Sequence, residues 1–240
     1  MTMKRFYGRG IPRVNVAELV GHLVVIEGSD GSGRSTQVKL LRDYFERLGH
    51  PTVEIGLKRS VLVGPELDEA MRGNDLCPTT LSLFYATDLA DQLEAAVLPA
   101  LRAGFIVVAD RYLYTPMARD IVRGASSAWL KQVYGFALVP DLVVYLKVRP
   151  TTLAERSILK DGQLDYWESG IDIHRSGDMY QCFLRYQTRM ARAYARMVKE
   201  YGFEIVDGNR GPLEIHRSIQ AVARGILPAP PTGRRVAGGA

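Results

Sequence analysis

The chain has little that would tie it to a secreted or membrane setting. Only two of its 240 residues are cysteine, Cys77 and Cys182, far apart and without metal-ligand spacing. That excludes a disulfide-framed scaffold and a cysteine-rich zinc site, and it reads as two thiols in a reducing compartment. No apolar run approaches the ~20 residues of a membrane span. The start, MTMKRFYGRGIPR, is basic, but no apolar h-region follows it, so no secretory signal is expected. Neither sign of charge dominates: 31 Lys and Arg against 26 Asp and Glu leave a net +5. Such an excess suits an enzyme of phosphorylated substrates or a weak nucleic-acid binder, and no RNA- or DNA-binding motif is present to favour the second. There is no internal repeat. Together these absences predict a cytoplasmic protein with neither a membrane nor a nucleic acid as partner.

What is present is 47% hydrophobic residues, enough for one sizeable core in a chain too short for two comfortable domains. Five short apolar segments, HLVVIE, TVEI, FIVVAD, DLVVYLKV and FEIVDG, alternate with amphipathic stretches at helical spacing. The longest of these stretches begins at Pro78 and closes at Gly104. This alternation predicts a three-layer α/β unit, a five-stranded parallel sheet with helices on both faces. Residues 1–20, punctuated by Gly and Pro, read as an N-terminal extension. The folded unit is expected over 21–226. Residues 227–240, rich in Pro, Gly and Ala, read as a disordered tail.

Ligands on such sheets bind at the carboxyl ends of the strands. The loop after the first strand is GSDGSGRST, residues Gly28, Ser29, Asp30, Gly31, Ser32, Gly33, Arg34, Ser35 and Thr36. Its glycines let backbone N–H groups turn inward around phosphate oxygens, and the helix that follows adds its positive end. Ser35 stands where a hydroxyl can ligate Mg²⁺. Arg34 occupies the usual lysine position. It keeps the charge but is flatter and bulkier, so phosphate binding should survive, with phosphoryl transfer either slowed or dependent on a shifted geometry.

Taken with later segments, this loop resembles the thymidylate kinase family of P-loop nucleoside monophosphate kinases. The likeness runs from about Gly21 to Ile226 and rests on five stretches in family order: VIEGSDGSGRSTQ, VVADRYLYT, PDLVVYLKVRPTTLAER, GQLDYWE and RMARAY. It implies the P-loop kinase fold with a short lid over about 157–175. It also implies ATP and Mg²⁺ as cofactors, nucleotide substrates, and a homodimer through long helices, although LSLFYATDLADQLEAAVLPAL is equally tenable as plain core. By the same resemblance Asp30 contacts the acceptor sugar and Asp110 lies near Mg²⁺. Arg111 holds the acceptor phosphate and the transferred group, and Arg156 and Lys160, at the lid entrance, close over the phosphates. Tyr85 stacks on the acceptor base, and Thr115 follows the Asp110–Arg111 motif at the acceptor site.

The chain also departs from the family's pattern. After the second strand GLKRS offers Lys58 or Arg59 in place of R-E-P. Leu89 stands where an arginine reads the thymine edge, and Arg119 and Asp120 replace an aromatic and polar pair. Phosphate handling is thus kept while base reading is rewritten. A P-loop kinase with another acceptor, or a catalytically weak nucleotide-binding module, stays open on these residues.

Overall fold

The computed structural model describes residues 3–73, 76–173 and 178–227. Its sheet has five strands, all parallel, in the order β2-β3-β1-β4-β5. These are β1 (His22–Glu27), β2 (Thr52–Gly56), β3 (Ile106–Asp110), β4 (Leu142–Lys147) and β5 (Glu204–Asp207). Strand side chains alternate between faces, and the two faces bury different sets. Val24, Ile26, Val108 and Val144 pack under Val38, Leu41 and Phe45 of α1 (Arg34–Arg47) and Ile215 and Ile219 of α9 (Pro212–Ala223). Leu23, Val25, Val107, Ala109 and Val143 face the other layer, built from α3 (Pro78–Gln92), α4 (Leu98–Arg102), α5 (Tyr114–Val122), α6 (Ser127–Val133) and α8 (Met179–Tyr201). Strands buried on both sides read as continuous apolar runs, as β1, β3 and nearly all of β4 do, whereas the outer strands β2 and β5 are only partly buried and carry Glu54, Glu204 and Asp207.

The long helix expected from Pro78 is a single run with a π-helical turn at Leu93–Val97 between α3 and α4. Pro99 lies just beyond that turn. It has no N–H to donate, and a widened turn lets the ladder pass it. Leu89, Leu93, Val97, Leu98 and Leu101 of this run are buried within the chain itself.

The segment before Gly21 does not stand apart as an extension. Phe6 bridges Leu138 in an antiparallel contact, Tyr7 N–H donates to Ala137 O at 3.0 Å, and Gly8 N–H donates to Gly135 O at 2.8 Å. Phe6, Tyr7, Ile11 and Val14 pack on the core, and Leu19 is buried. Gly and Pro punctuate this segment without keeping its aromatic residues from packing. Past the end of α6 at Val133 the chain makes a 3₁₀ turn (Tyr134–Phe136) and then extends to meet Phe6. At the other end α9 closes the described part of the fold. Of the expected tail 227–240, Leu227 packs against the core and the residues from Pro228 onward lie outside the described residues, as do 174 and 175 of the expected lid.

The register positions the site. Ile26 of β1 pairs with Asp110 of β3, so the loop leaving β1 and the turn leaving β3 emerge side by side. The helices α2 (Gly64–Gly73) and α7 (Pro150–Asp161) flank them.

Candidate active site

The first-strand loop wraps onto the start of α1. Gly33 is the residue before the helix and has φ +86°, and Gly31 has φ +75°. Both conformations favour glycine. A Cβ at Gly31 would also come within 3.2 Å of Ser157 Oγ and 3.3 Å of Leu153 O, so glycine lets the loop slide beneath α7.

Arg34 lies inside this loop, 8% exposed. Its Nε donates to Asp110 Oδ1 at 2.6 Å, and its Nη1 donates to the carbonyls of Gly28 at 2.5 Å and Ser29 at 3.0 Å. Nη2 is 3.9 Å from Asp30 Oδ1, beyond hydrogen-bond range. Arg34 is therefore first a strut between loop and β3, with Nη2 left to meet a phosphate. The other Asp110 oxygen accepts from Ser35 Oγ at 2.8 Å. A hydroxyl and a carboxylate oxygen converging this closely are hard oxygen donors of the kind Mg²⁺ takes. These residues fit the expected ion. The Ser32 hydroxyl is buried with no partner among the described residues, a polar group that a bound phosphate would satisfy. Thr36 is exposed in the first turn of α1, and from the lid side Arg156 Nη1 reaches Ser32 O at 3.5 Å.

Beside the loop opens a cavity of about 810 Å³. Asp30, Lys58, Tyr85, Arg111 and Arg119, all expected at the acceptor, line it. Asp30 ties two of them together: it accepts from Arg111, and from Arg119 Nη2 at 2.8 Å. Arg111 has φ +72°, strained for a residue with a side chain. Its Nε is buried without a partner among the described residues, and burial, with Arg119 nearby, pulls its pKa down to about 10. A buried cation with a donor to spare is made for an anion. Lys58 forms an ion pair with Asp68 at the rim.

Other expected residues stand elsewhere. Arg59 turns away to Glu54 at 2.5 Å and is 44% exposed. Lys160 is 78% exposed beside Asp161. Thr115 is buried behind the cavity, donating to Glu27 Oε2 at 2.6 Å. Asp120 faces a separate cavity of about 230 Å³ and accepts from Ser82 Oγ at 2.6 Å. Burial pushes its carboxyl up to about 6 against that bond and against Arg123. Neighbouring residues on a helix point about 100° apart, and here Arg119 turns to the acceptor cavity while Asp120 turns to the smaller one. Leu89 belongs to the core.

Several residues that matter were not singled out in the sequence. Glu27 is fully buried and accepts from Tyr112 N at 2.9 Å, Thr115 Oγ1 and Tyr194 OH, which fixes the turn carrying Arg111. Burial raises its pKa against those bonds. One charge at the end of HLVVIE was the available signal. Asp88 holds the loop after β2 through Lys58 N and Ser60 N, each at 2.8 Å. Trp167 and Glu168 bring the lid to the cavity wall, and burial raises the Glu168 pKa.

The sequence profile of the family described as Thymidylate kinase matches residues 26–219. The chain is 36% identical to the "Probable thymidylate kinase 2" of Saccharolobus solfataricus over 203 residues, which is 84% of this chain and 95% of that protein. It is 32% identical to the "Probable thymidylate kinase" of Pyrococcus abyssi, covering 85% and 96% of the two chains. It is 30% identical to the "Thymidylate kinase" of Fervidobacterium nodosum, covering 85% and 99%.

Proposed function

Because the chain belongs to the thymidylate kinase family, we propose that it transfers the terminal phosphoryl group of ATP to dTMP, with Mg²⁺ held by Ser35 and Asp110. The observation that carries the reading is the junction at Asp30. That one carboxylate joins a phosphate-binding loop on one side to the Arg111–Arg119 floor of the cavity on the other. Donor and acceptor phosphates would thus meet across Asp30, the alignment that phosphoryl transfer needs more than a strong base.

Each group has a part in this. The loop N–H groups, Ser32 and Arg34 Nη2 bind the donor phosphates. Arg111, with its spare Nε, orients the acceptor phosphate and neutralises the transferred group. Arg156 covers the loop from the lid. When bound, the divalent ion supplies further neutralisation of the phosphate oxygens. Tyr85 gives the acceptor base a flat wall. The expected homodimer is part of the proposal too. Ala86 and Leu89 of α3 belong to its own core, while Leu83, 47% exposed, and the half-buried Leu81 and Phe84 are what that helix offers a second copy.

The test is ADP release coupled to a panel of nucleoside monophosphates, with the product identified by chromatography. Formation of dTDP from dTMP, faster than diphosphate formation from the other monophosphates, supports the reading. Turnover of a different monophosphate without dTMP would move the acceptor. ATP binding without turnover of any would make the chain a nucleotide-binding module.

A further inference from the structure

Arg123 lies one helical turn beyond Arg119, just past the end of α5, and does not line the acceptor cavity. Its side chain is only 10% exposed, and each of its five N–H donors meets an acceptor. Nε and Nη2 take the two oxygens of Asp172 at 2.7 and 3.1 Å. Nη1 donates to Tyr186 OH at 2.7 Å and Arg119 O at 3.4 Å, and Nη2 also donates to Trp167 O at 3.4 Å. The guanidinium lies 5.6 Å from the centre of the Trp167 ring and 5.2 Å from that of Tyr186, within cation–π range of both. One side chain thus ties the end of α5, the lid and α8 together.

The lid residue it holds is a cavity wall. Trp167 Nε1 donates to Met71 O at 3.3 Å, and Met71 Sδ accepts from Tyr85 OH at 3.0 Å. Trp167, Met71 and Tyr85 all line the acceptor cavity. The lid there is a series of turns with no helical ladder to hold it. Gln187 adds one neutral tie, to Glu168 O at 2.9 Å.

We infer that Arg123 is a positioning residue that fixes the Trp167 wall of the acceptor cavity and so sets how tightly the acceptor is held, without touching it. What the cavity holds rests on the function proposed above; the tie between Arg123 and Trp167 does not. Lysine would keep the charge but cannot supply the planar fork or bridge Asp172, Tyr186 and Trp167 at once.

The chain has two tryptophans, Trp129 and Trp167, so a Trp129→Phe background leaves Trp167 as its single reporter. In that background, acrylamide quenching of the ligand-free protein should rise clearly in Arg123→Ala and partly in Arg123→Lys. In turnover assays the KM for the acceptor should rise in Arg123→Ala by about ten-fold, and by less than the roughly hundred-fold that loss of a charged anchor touching the acceptor could reach, because Arg123 acts through Trp167; the KM for ATP should stay within about two-fold of the parent. Should Arg123→Ala fail to fold, Arg123→Lys and Asp172→Asn carry the same test with smaller shifts. Quenching equal to the parent in the folded variants overturns the inference. So does a joint rise of both KM values, which marks general loosening. Quenching is read without substrate, so it decides the Arg123–Trp167 tie even if dTMP proves not to be the acceptor.

Discussion

Replacing Arg34 tests two roles at once, because the guanidinium is both a strut and the loop's phosphate-facing cation. In Arg34→Ala the Asp110 carboxylate, with a side chain 10% exposed, loses its 2.6 Å partner and keeps the Ser35 hydroxyl. The carbonyls of Gly28 and Ser29 lose their donor as well. Removing one member of a buried pair costs about 3–5 kcal/mol. The open side of the loop lets water reach these groups, so the low end, ~3 kcal/mol, is expected. At about 2–4 °C per kcal/mol for a domain of this size, the melting temperature should fall by about 6–12 °C. Arg34→Lys can satisfy Asp110 or the carbonyls but not both, and should recover about half. Loss of Nη2 as a charged donor should weaken ATP binding by about ten- to a hundred-fold, or ~1.5–3 kcal/mol. Differential scanning calorimetry of the ligand-free protein reads the strut, and titration calorimetry with ATP reads the ligand. An Arg34→Ala protein with the parent's melting temperature refutes the strut. One that melts early yet binds ATP as the parent does refutes the phosphate role.

Asp120 should reverse the usual pH behaviour of a carboxylate. Its folded pKa, about 6, lies above the unfolded value, so the folded state holds the extra proton between about pH 4 and 6 and its contribution to stability falls as pH rises through that window. Asp120→Asn should therefore gain up to ~2–3 kcal/mol on the parent at pH 7 and almost nothing at pH 4, and urea titrations showing the same difference at both values would disprove the account. Leu89→Arg should not install base reading. It places an unpaired charge in the core and should cost ~3–5 kcal/mol in urea unfolding, whereas a variant as stable as the parent with faster dTMP turnover would show that the side chain reaches the cavity. Arg156→Ala, which removes a cation resting on the phosphate loop, should lower kcat about 10²–10³-fold with little change in either KM; an unchanged kcat would take Arg156 out of the transfer step.

Much of the fold was legible because its signals are local. A strand buried on both faces must be apolar along its length, and a loop that turns its N–H groups inward needs glycine where φ is positive. HLVVIE followed by GSDGSGRST carries both signals within a few residues, and Asp110–Arg111 at the end of FIVVAD placed the second half of the site. The same local logic misjudged the N-terminal segment, where Gly and Pro masked an aromatic pair, Phe6 and Tyr7, that docks against Leu138 and Tyr114, 132 and 107 residues away in the chain.

Composition and pattern by themselves determined the parallel α/β sheet, the phosphate loop and the charged turn beside it, since each follows from backbone geometry within one segment. Only the tertiary structure decided what Arg34 is bonded to, that Arg119 rather than Asp120 faces the acceptor cavity, that Leu89 is core, and that Arg123 holds the lid. Those outcomes depend on which way a helix is rotated against the sheet and on partners such as Asp110, 76 residues from Arg34, and Asp172, 49 from Arg123. Helical rotation is set by the summed burial of a whole apolar face, so one polar side chain's direction is a by-product of packing that no short stretch encodes.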